Sequence, residues 1–356
     1  MRIGLYNPHL ATLGGGERYF LTVLEEALRL PDAHVTLLSP ERPDPPSWRR
    51  LGIEIADSSF EWSTAADEAA VTALSPQLDL LFAMVNEVPP RSDAHRSIAM
   101  VQFPHRSHTG PRARLLRALR VSRAPAALAS YERFICNSEF TRRHIRERLG
   151  VDAVVVPPPV ELPSAAPVSK EPLILAVGRF FRGLHSKNQH VLLDALDALD
   201  APGWRLVLAG GGDDLDYVEE VRRRADGLPA ELLVDVPRDE LVELYSRAAL
   251  FWHAAGHGQD ARRHPERLEH FGITTVEAMA HGAVPLVFPA GGQAEVVEDG
   301  RTGVWWRTPS ELAAQTKDLV EDKPRRERLG AAAREEARRY SPERFRAAVR
   351  ELVLGA

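Results

Sequence analysis

The strongest constraint on the fold is an alternation that runs along most of the chain: short aliphatic or β-branched runs followed by amphipathic helical stretches. "RIGLYN" reads as a buried strand, "LGGGE" as a turn and "RYFLTVLEEALRL" as a helix. "HVTLLS", "LDLLFAM", "SIAMVQF" and "RFICNS" follow as strands, and the helical "EFTRRHIRERLG" ends in a glycine suited to cap it. Strands alternating with helices form a parallel sheet with helices on both faces. The pattern breaks at "VVVPPPVELPSAAPVSKEP" (154–172), whose prolines and lack of periodicity read as a linker. It then restarts with "LILAVGRF", "NQHVLLDALDAL", "RLVLAGGG", "DYVEEVRRRAD" and "ELVELYSRAALFWHA". The expectation is an α/β chain of two doubly wound domains, 1–160 and 161–340, with a last helix, 341–356, packing back on the first. Such sheets bind ligands beyond the carboxyl ends of their strands, so an interdomain cleft is the expected site.

Composition narrows the function. A chain of 356 residues exceeds one ordinary core. A net charge of −5 argues against general nucleic-acid binding, which draws on a basic excess. The single cysteine, Cys136, excludes an intrachain disulfide and fits a reducing compartment, so a cytoplasmic location is expected. "MRIGLYNPHL" lacks the apolar stretch of a signal peptide, and no run approaches the ~18 apolar residues of a membrane span. No G-x-S-x-G elbow is present and Cys136 lies in an ordinary strand, so nucleophilic hydrolase chemistry has no support.

Three stretches carry candidate ligand contacts. Gly14, Gly15 and Gly16 join the first strand to the first helix, where a bare backbone can pass close to an anion. Their spacing does not meet a dinucleotide fingerprint, and a flexible turn is the plainer reading. In "VGRFFRGLHSKNQ", Arg179 and Lys187 follow the strand that opens the second domain. Two cations there suit a diphosphate, although a solvated loop explains a pair of charges as well. Lys187 is one of only four lysines, which gives it weight.

The third stretch is "LEHFGITTVEAMAHG" (268–282), in which seven residues separate Glu269 from Glu277. Thr274 to Glu277 matches a capping box, which would account for Glu277 structurally. Glu269 precedes the helix in a loop that Gly272 loosens, and a carboxylate there can accept hydrogen bonds from sugar hydroxyls. The amides of Gly272 to Thr275 would face an anion, and Glu277 could hold a ribose diol: a layout for a nucleotide diphosphate sugar. Weaker signals are Asp214 and Asp216, a D-x-D pattern that reads better as acids at a helix start. His253, His257, His264 and His270 lack the cysteines or spacing of a zinc site.

Taken together, these motifs resemble the retaining family 4 glycosyltransferases of the GT-B architecture. The resemblance rests on "GGGERY", "NSEFTRRHIRERLGV" with "VVPPPVE", "AVGRFF…SKNQ", "LYSRAALFWHAAG", "EHFGITTVEAMAHGAVPLVF" and "AGGQAEVVEDGRTG". The "EHFG" form resembles a branch with mannosyltransferases of lipid-linked oligosaccharide assembly and bacterial polysaccharide enzymes. The resemblance implies that the second domain binds a nucleotide sugar and the first an acceptor: a glycan, a lipid-linked molecule or a small molecule. Arg179 and Lys187 would hold the diphosphate, Glu269 the donor sugar, and Glu277 the ribose. Backbone amides of Phe271, Gly272, Ile273 and Thr274 would lie nearby, and Gly15 and Gly16 would approach from the first domain. Transfer would retain anomeric configuration and need no metal ion or other cofactor, the two cations and helix start stabilising the departing diphosphate.

One departure concerns the strand "IAMVQFPHRS", where many relatives carry a histidine facing the reacting sugar. Here Gln102 stands in that place with His105 three residues on, so either Gln102 supplies the contact or His105 does through a shifted loop. Two other functions remain open: a nucleotide-sugar epimerase of the same architecture and a nucleotide-sugar-binding protein without turnover. Finally, "PRARLLRALRVSR" (111–123) carries five arginines. It reads either as a solvated helix or as a contact for anionic lipid or a phosphorylated acceptor, with Pro125 just past its end.

Overall fold

The computed structural model describes every residue except 13, 66, 106–123, 164–167, 185 and 356. The arginine-rich stretch 111–123 therefore lies outside the described residues. The chain divides into two compact units, Met1–Pro159 with Glu343–Ala356, and Val160–Pro342.

The first unit holds a seven-stranded sheet in the order β3-β2-β1-β4-β5-β6-β7, with every pairing parallel. Its strands are β1 (Arg2–Tyr6), β2 (His34–Ser39), β3 (Glu61–Thr64), β4 (Leu80–Val85), β5 (Arg96–Val101), β6 (Arg133–Cys136) and β7 (Val154–Val155). The central strands are buried on both faces, which is why they read as unbroken aliphatic runs rather than alternating ones. Two expectations need correcting. β3, "EWST", is a half-exposed edge strand with no apolar run to announce it. Val154 and Val155 open the expected linker but pair with β6 as an edge strand; the unit boundary falls after Pro159. Pro125 lies in the helix Ala124–Ala129, and the expected helix it was to follow lies outside the described residues.

The C-terminal helix Pro342–Val349 packs on the helix Gly15–Leu28. Phe345 meets Tyr19 edge-on at 4.6 Å between ring centroids. Arg350 Nη1 donates to Glu26 Oε2 at 2.7 Å, and Arg346 Nε lies 3.4 Å from Oε1 of the same carboxylate. Glu26 is only 1% exposed, so these arginines are what makes its burial tolerable.

The second unit holds a six-stranded parallel sheet, order β10-β9-β8-β11-β12-β13. Its strands are β8 (Glu171–Val177), β9 (Arg205–Gly210), β10 (Ala230–Val234), β11 (Ala248–His253), β12 (Val284–Val287) and β13 (Val304–Trp305). In both sheets the strand order reverses beside the first strand, between β1 and β4 and between β8 and β11. These reversals are the points where loops diverge and leave room for a ligand. Among the described residues no helix is long and apolar enough to cross a membrane.

Candidate active site

The reversal between β8 and β11 gathers the second unit's candidates. β8 ends at Val177, and the segment after it returns Lys187 to the sheet at the start of the helix Gln189–Asp197. Asn188 adopts a left-handed backbone (φ 51°) and donates through Nδ2 to Ala254 O at 3.0 Å. Gln189 Nε2 donates to Gly178 O at 3.0 Å and Arg179 O at 3.1 Å. These bonds tie the Lys187 turn to both neighbouring strand ends. Gly178 is required here, because a Cβ would fall 2.5 Å from Lys187 Cγ.

Lys187 Nζ donates to Glu269 Oε2, with side chains only 23% and 15% exposed. His253, the last residue of β11, places Nε2 at 3.2 Å from the same oxygen. Burial alone would raise the Glu269 carboxyl, but the Lys187 charge and the His253 hydrogen bond outweigh it and hold the group well below the ordinary range. Burial pushes His253 below its usual value, with Glu269 opposing. Glu269 is thus ionised, and its Oε1 makes no hydrogen bond among the described residues.

The loop around Glu269 is held rather than loose, contrary to the sequence expectation. Gly292 N donates to Glu269 O at 2.7 Å, and a Cβ on Gly291 would fall 2.1 Å from that oxygen. Gly272 has φ 105°, and a Cβ there would meet the Gln293 amide at 2.2 Å. The "GGQ" segment 291–293 is therefore the seat of the Glu269 loop.

Glu277 is not part of a capping box. The helix begins at Ile273 with Gly272 as its cap residue, which puts Thr274 inside the first turn, and no side chain caps it. Thr275 N turns to Gly272 O at 3.1 Å, which leaves the amides of Ile273 and Thr274 without a partner among the described residues. Glu277 Oε1 pairs with Arg238 Nη2 at 2.7 Å, and Oε2 accepts from Tyr245 Oη at 2.9 Å. Arg179 does not join Lys187 on a common partner. It pairs with Asp213 at 2.8 Å, both side chains being nearly half exposed. Asp214 caps the helix Leu215–Ala225, accepting from Tyr217 N at 3.0 Å.

In the first unit, Gly14 N donates to Glu17 Oε2 at 2.7 Å, so a carboxylate already serves that helix start. A Cβ on Gly16 would lie 2.4 Å from Gln102 Oε1, so Gln102 rests directly against the glycine turn. Gly15 opens the helix Gly15–Leu28 and is exposed. His105 packs edge-on to Phe103 at 6.0 Å.

Sequence reasoning missed His253, Arg238 and Tyr245 as members of the site. The only signal for His253 was its place at the end of the buried run "AALFW"; Arg238 and Tyr245 had none.

Two family models match the chain: Glycosyltransferase Family 4 over residues 13–163 and Glycosyl transferases group 1 over residues 161–336. Among curated proteins, the sulfoquinovosyl transferase of Arabidopsis thaliana is 27% identical over 48% of this chain and 31% of its own length. A glycogen synthase of Mycobacterium tuberculosis is 31% identical over 53% of this chain and 42% of its own. The matched region thus spans less than half of either relative. The crystal structure of Anabaena HepE in complex with UDP and glucose superposes with a TM-score of 0.73 at 17% identity, covering 100% of both chains. That likeness establishes the fold: two Rossmann-like parallel sheets of the GT-B kind. With one family model on each of its two sheets, the chain belongs to the glycosyltransferases of the family 4 type.

Proposed function

We propose that the protein is a retaining, metal-independent transferase that moves a hexose-type sugar from a nucleotide diphosphate sugar to a glycan, glycolipid or small-molecule acceptor. The observation that carries this reading is Glu269: an ionised carboxylate with Oε2 committed to Lys187 and His253 and Oε1 left to accept. An anionic acceptor beside an ammonium group suits a sugar hydroxyl next to a phosphate. Lys187 has three donors and can keep Glu269 while turning another toward the diphosphate, with Arg179 leaving its exposed pair to join it. The uncapped start of the helix Ile273–Ala280 supplies amides to the same charge. Glu277 takes the ribose by exchanging Arg238 or Tyr245 for the diol.

The second unit is assigned the donor and the first unit the acceptor. Because Glu17 already serves the Gly14 amide, Gly14, Gly15 and Gly16 are assigned to sugar hydroxyls rather than phosphate. Gln102, seated on Gly16, takes the acceptor-side polar role in preference to His105. The neighbour solved with UDP and glucose supports a uridine donor as the first to try.

Thermal unfolding with UDP-, GDP- and dTDP-sugars tests the reading. The true donor at 100 times its Kd adds about 2.7 kcal/mol of stability. Its turnover should survive excess EDTA, because Lys187, Arg179 and the helix start carry the leaving-group charge. No stabilisation by any nucleotide sugar would sink the reading. Loss of turnover on chelation, restored by manganese or magnesium, would sink its metal independence.

A further inference from the structure

His253 closes the inner side of Glu269, and the donor chemistry alone does not explain it. Its side chain is 2% exposed, and its Nε2 meets Glu269 Oε2 at 3.2 Å. An ionised carboxylate can only accept, so Nε2 carries a hydrogen. The other nitrogen, Nδ1, is buried and has no partner among the described residues.

Gln189 presents a matching case. It is 3% exposed, and its amide nitrogen is spent on the carbonyls of Gly178 and Arg179, which settles the orientation of the amide. Its Oε1 is also buried without a partner among the described residues. Gln189 and His253 line the same cavity, of ≈ 10 Å³, with Gly178, Lys187 and Trp252. That volume admits about one water molecule. A leftover imidazole nitrogen and an amide oxygen are both acceptors, and water is the smallest molecule that donates twice.

We propose that one buried water bridges His253 Nδ1 and Gln189 Oε1, holding His253 as the neutral Nε2–H tautomer and making it a positioning residue for Glu269. The competing arrangement is an imidazolium, which would donate from both nitrogens. It would set a second cation on a carboxylate that Lys187 already neutralises, in a site with almost no solvent. The groups facing the ring are Glu269, Lys187, Gln189 and the Gln293 amide, 3.4 Å from Nε2. Of the charged groups only Glu269 favours the imidazolium; burial and the Lys187 charge oppose it.

The consequence for catalysis rests on the proposed function: a fixed neutral donor holds Oε2 so that Oε1 stays aimed at the sugar. The tautomer itself does not rest on it. Nitrogen NMR of the full chain labelled with ¹⁵N-histidine reads it directly. The expected result at pH 7 is a protonated Nε2 and an unprotonated, hydrogen-bonded Nδ1 for His253. An imidazolium pattern, or a hydrogen on Nδ1, overturns the proposal. A crystal structure that orders solvent should place one water within hydrogen-bond distance of both Nδ1 and Gln189 Oε1; direct contact between those atoms overturns it.

Replacement supplies the positioning test through the carboxyl resonance of Glu269. In His253→Leu the Glu269 titration moves up by about one pH unit, the worth of one lost hydrogen bond. His253→Gln, which restores an N–H donor, returns most of that shift; equal titrations in all three proteins leave His253 as mere filling. None of these readouts uses a donor. A protein that binds no nucleotide sugar therefore sinks the functional reading alone, and a wrong tautomer sinks this one alone.

Discussion

Glu269 and Glu277 stand on either side of one helix start and live in different chemical settings. Glu269 spends one oxygen on Lys187 and His253 and keeps the other open. Glu277 has both oxygens engaged, by Arg238 and Tyr245, with its side chain 4% exposed. A carboxylate with spare accepting capacity can take a ligand without breaking anything. One whose oxygens are both committed must exchange a partner, so it contributes less net affinity and more geometry. The comparison separates a residue poised for a reacting sugar from one that holds a local frame until a ligand arrives.

The largest expected effect tests the open oxygen. Glu269→Gln keeps size but removes the charge that Lys187 and His253 are built around. Turnover should fall by about 10²–10³-fold, as when one preorganised electrostatic partner is removed. Glu277→Gln should act mainly on KM for the donor. Steady-state kinetics of both variants decide it; equal effects on kcat would erase the distinction.

Lys187→Ala comes next, because it leaves Glu269 buried without its cation. We expect about 3 kcal/mol of lost stability, and turnover reduced more than donor affinity. The pH dependence follows from the direction of the shift. In the wild-type protein Glu269 sits below its unfolded value, so its contribution is complete above about pH 4.3 and declines as pH falls below that. Without Lys187, burial dominates and lifts the carboxyl above its unfolded value, so the slope reverses: the group costs stability at neutral pH and that cost is relieved as pH falls through the raised folded value. Urea unfolding across a pH series measures this, and parallel curves for the two proteins would refute it.

Arg238→Ala should cost less, about 2 kcal/mol, since Tyr245 still donates to Glu277 and Arg238 is partly exposed. Its sharper use is on binding. If Arg238 merely holds Glu277, donor affinity changes little; a gain in affinity would show that Glu277 had been waiting for release.

Arg179→Ala gives the smallest stability effect, under about 0.5 kcal/mol, because its pair with Asp213 is exposed on both sides. A fall in turnover with unchanged unfolding would then report the diphosphate directly. No change in either would return Arg179 to an ordinary surface charge.

Much of this molecule is readable from local pattern, and the limits of that reading are specific. Strands such as "LILAV" and "LDLLFAM" show themselves because both faces are buried. "EWST" does not, because an edge strand open to solvent can be built from polar residues. Lys187 and Glu269 stand out by type and place, yet Lys187 reads as a diphosphate clamp, and only the fold puts it on Glu269. The capping-box reading of Glu277 failed because helix start and cap depend on Gly272 taking φ 105° under Gln293, a contact from another loop.

By itself the sequence determined the parallel α/β character of the chain, its break near residue 160 and the residue types offered at its strand ends. Those depend on short-range periodicity, which records which face of a strand or helix is buried. Only the tertiary structure decided who meets whom. β8 and β11 are neighbours although about seventy residues separate them along the chain, and that adjacency brings Lys187, Gln189 and His253 together before Glu269. Carboxylates become open acceptors or closed struts through such long-range contacts, because burial and partner geometry, not residue type, set their charge and their free lone pairs.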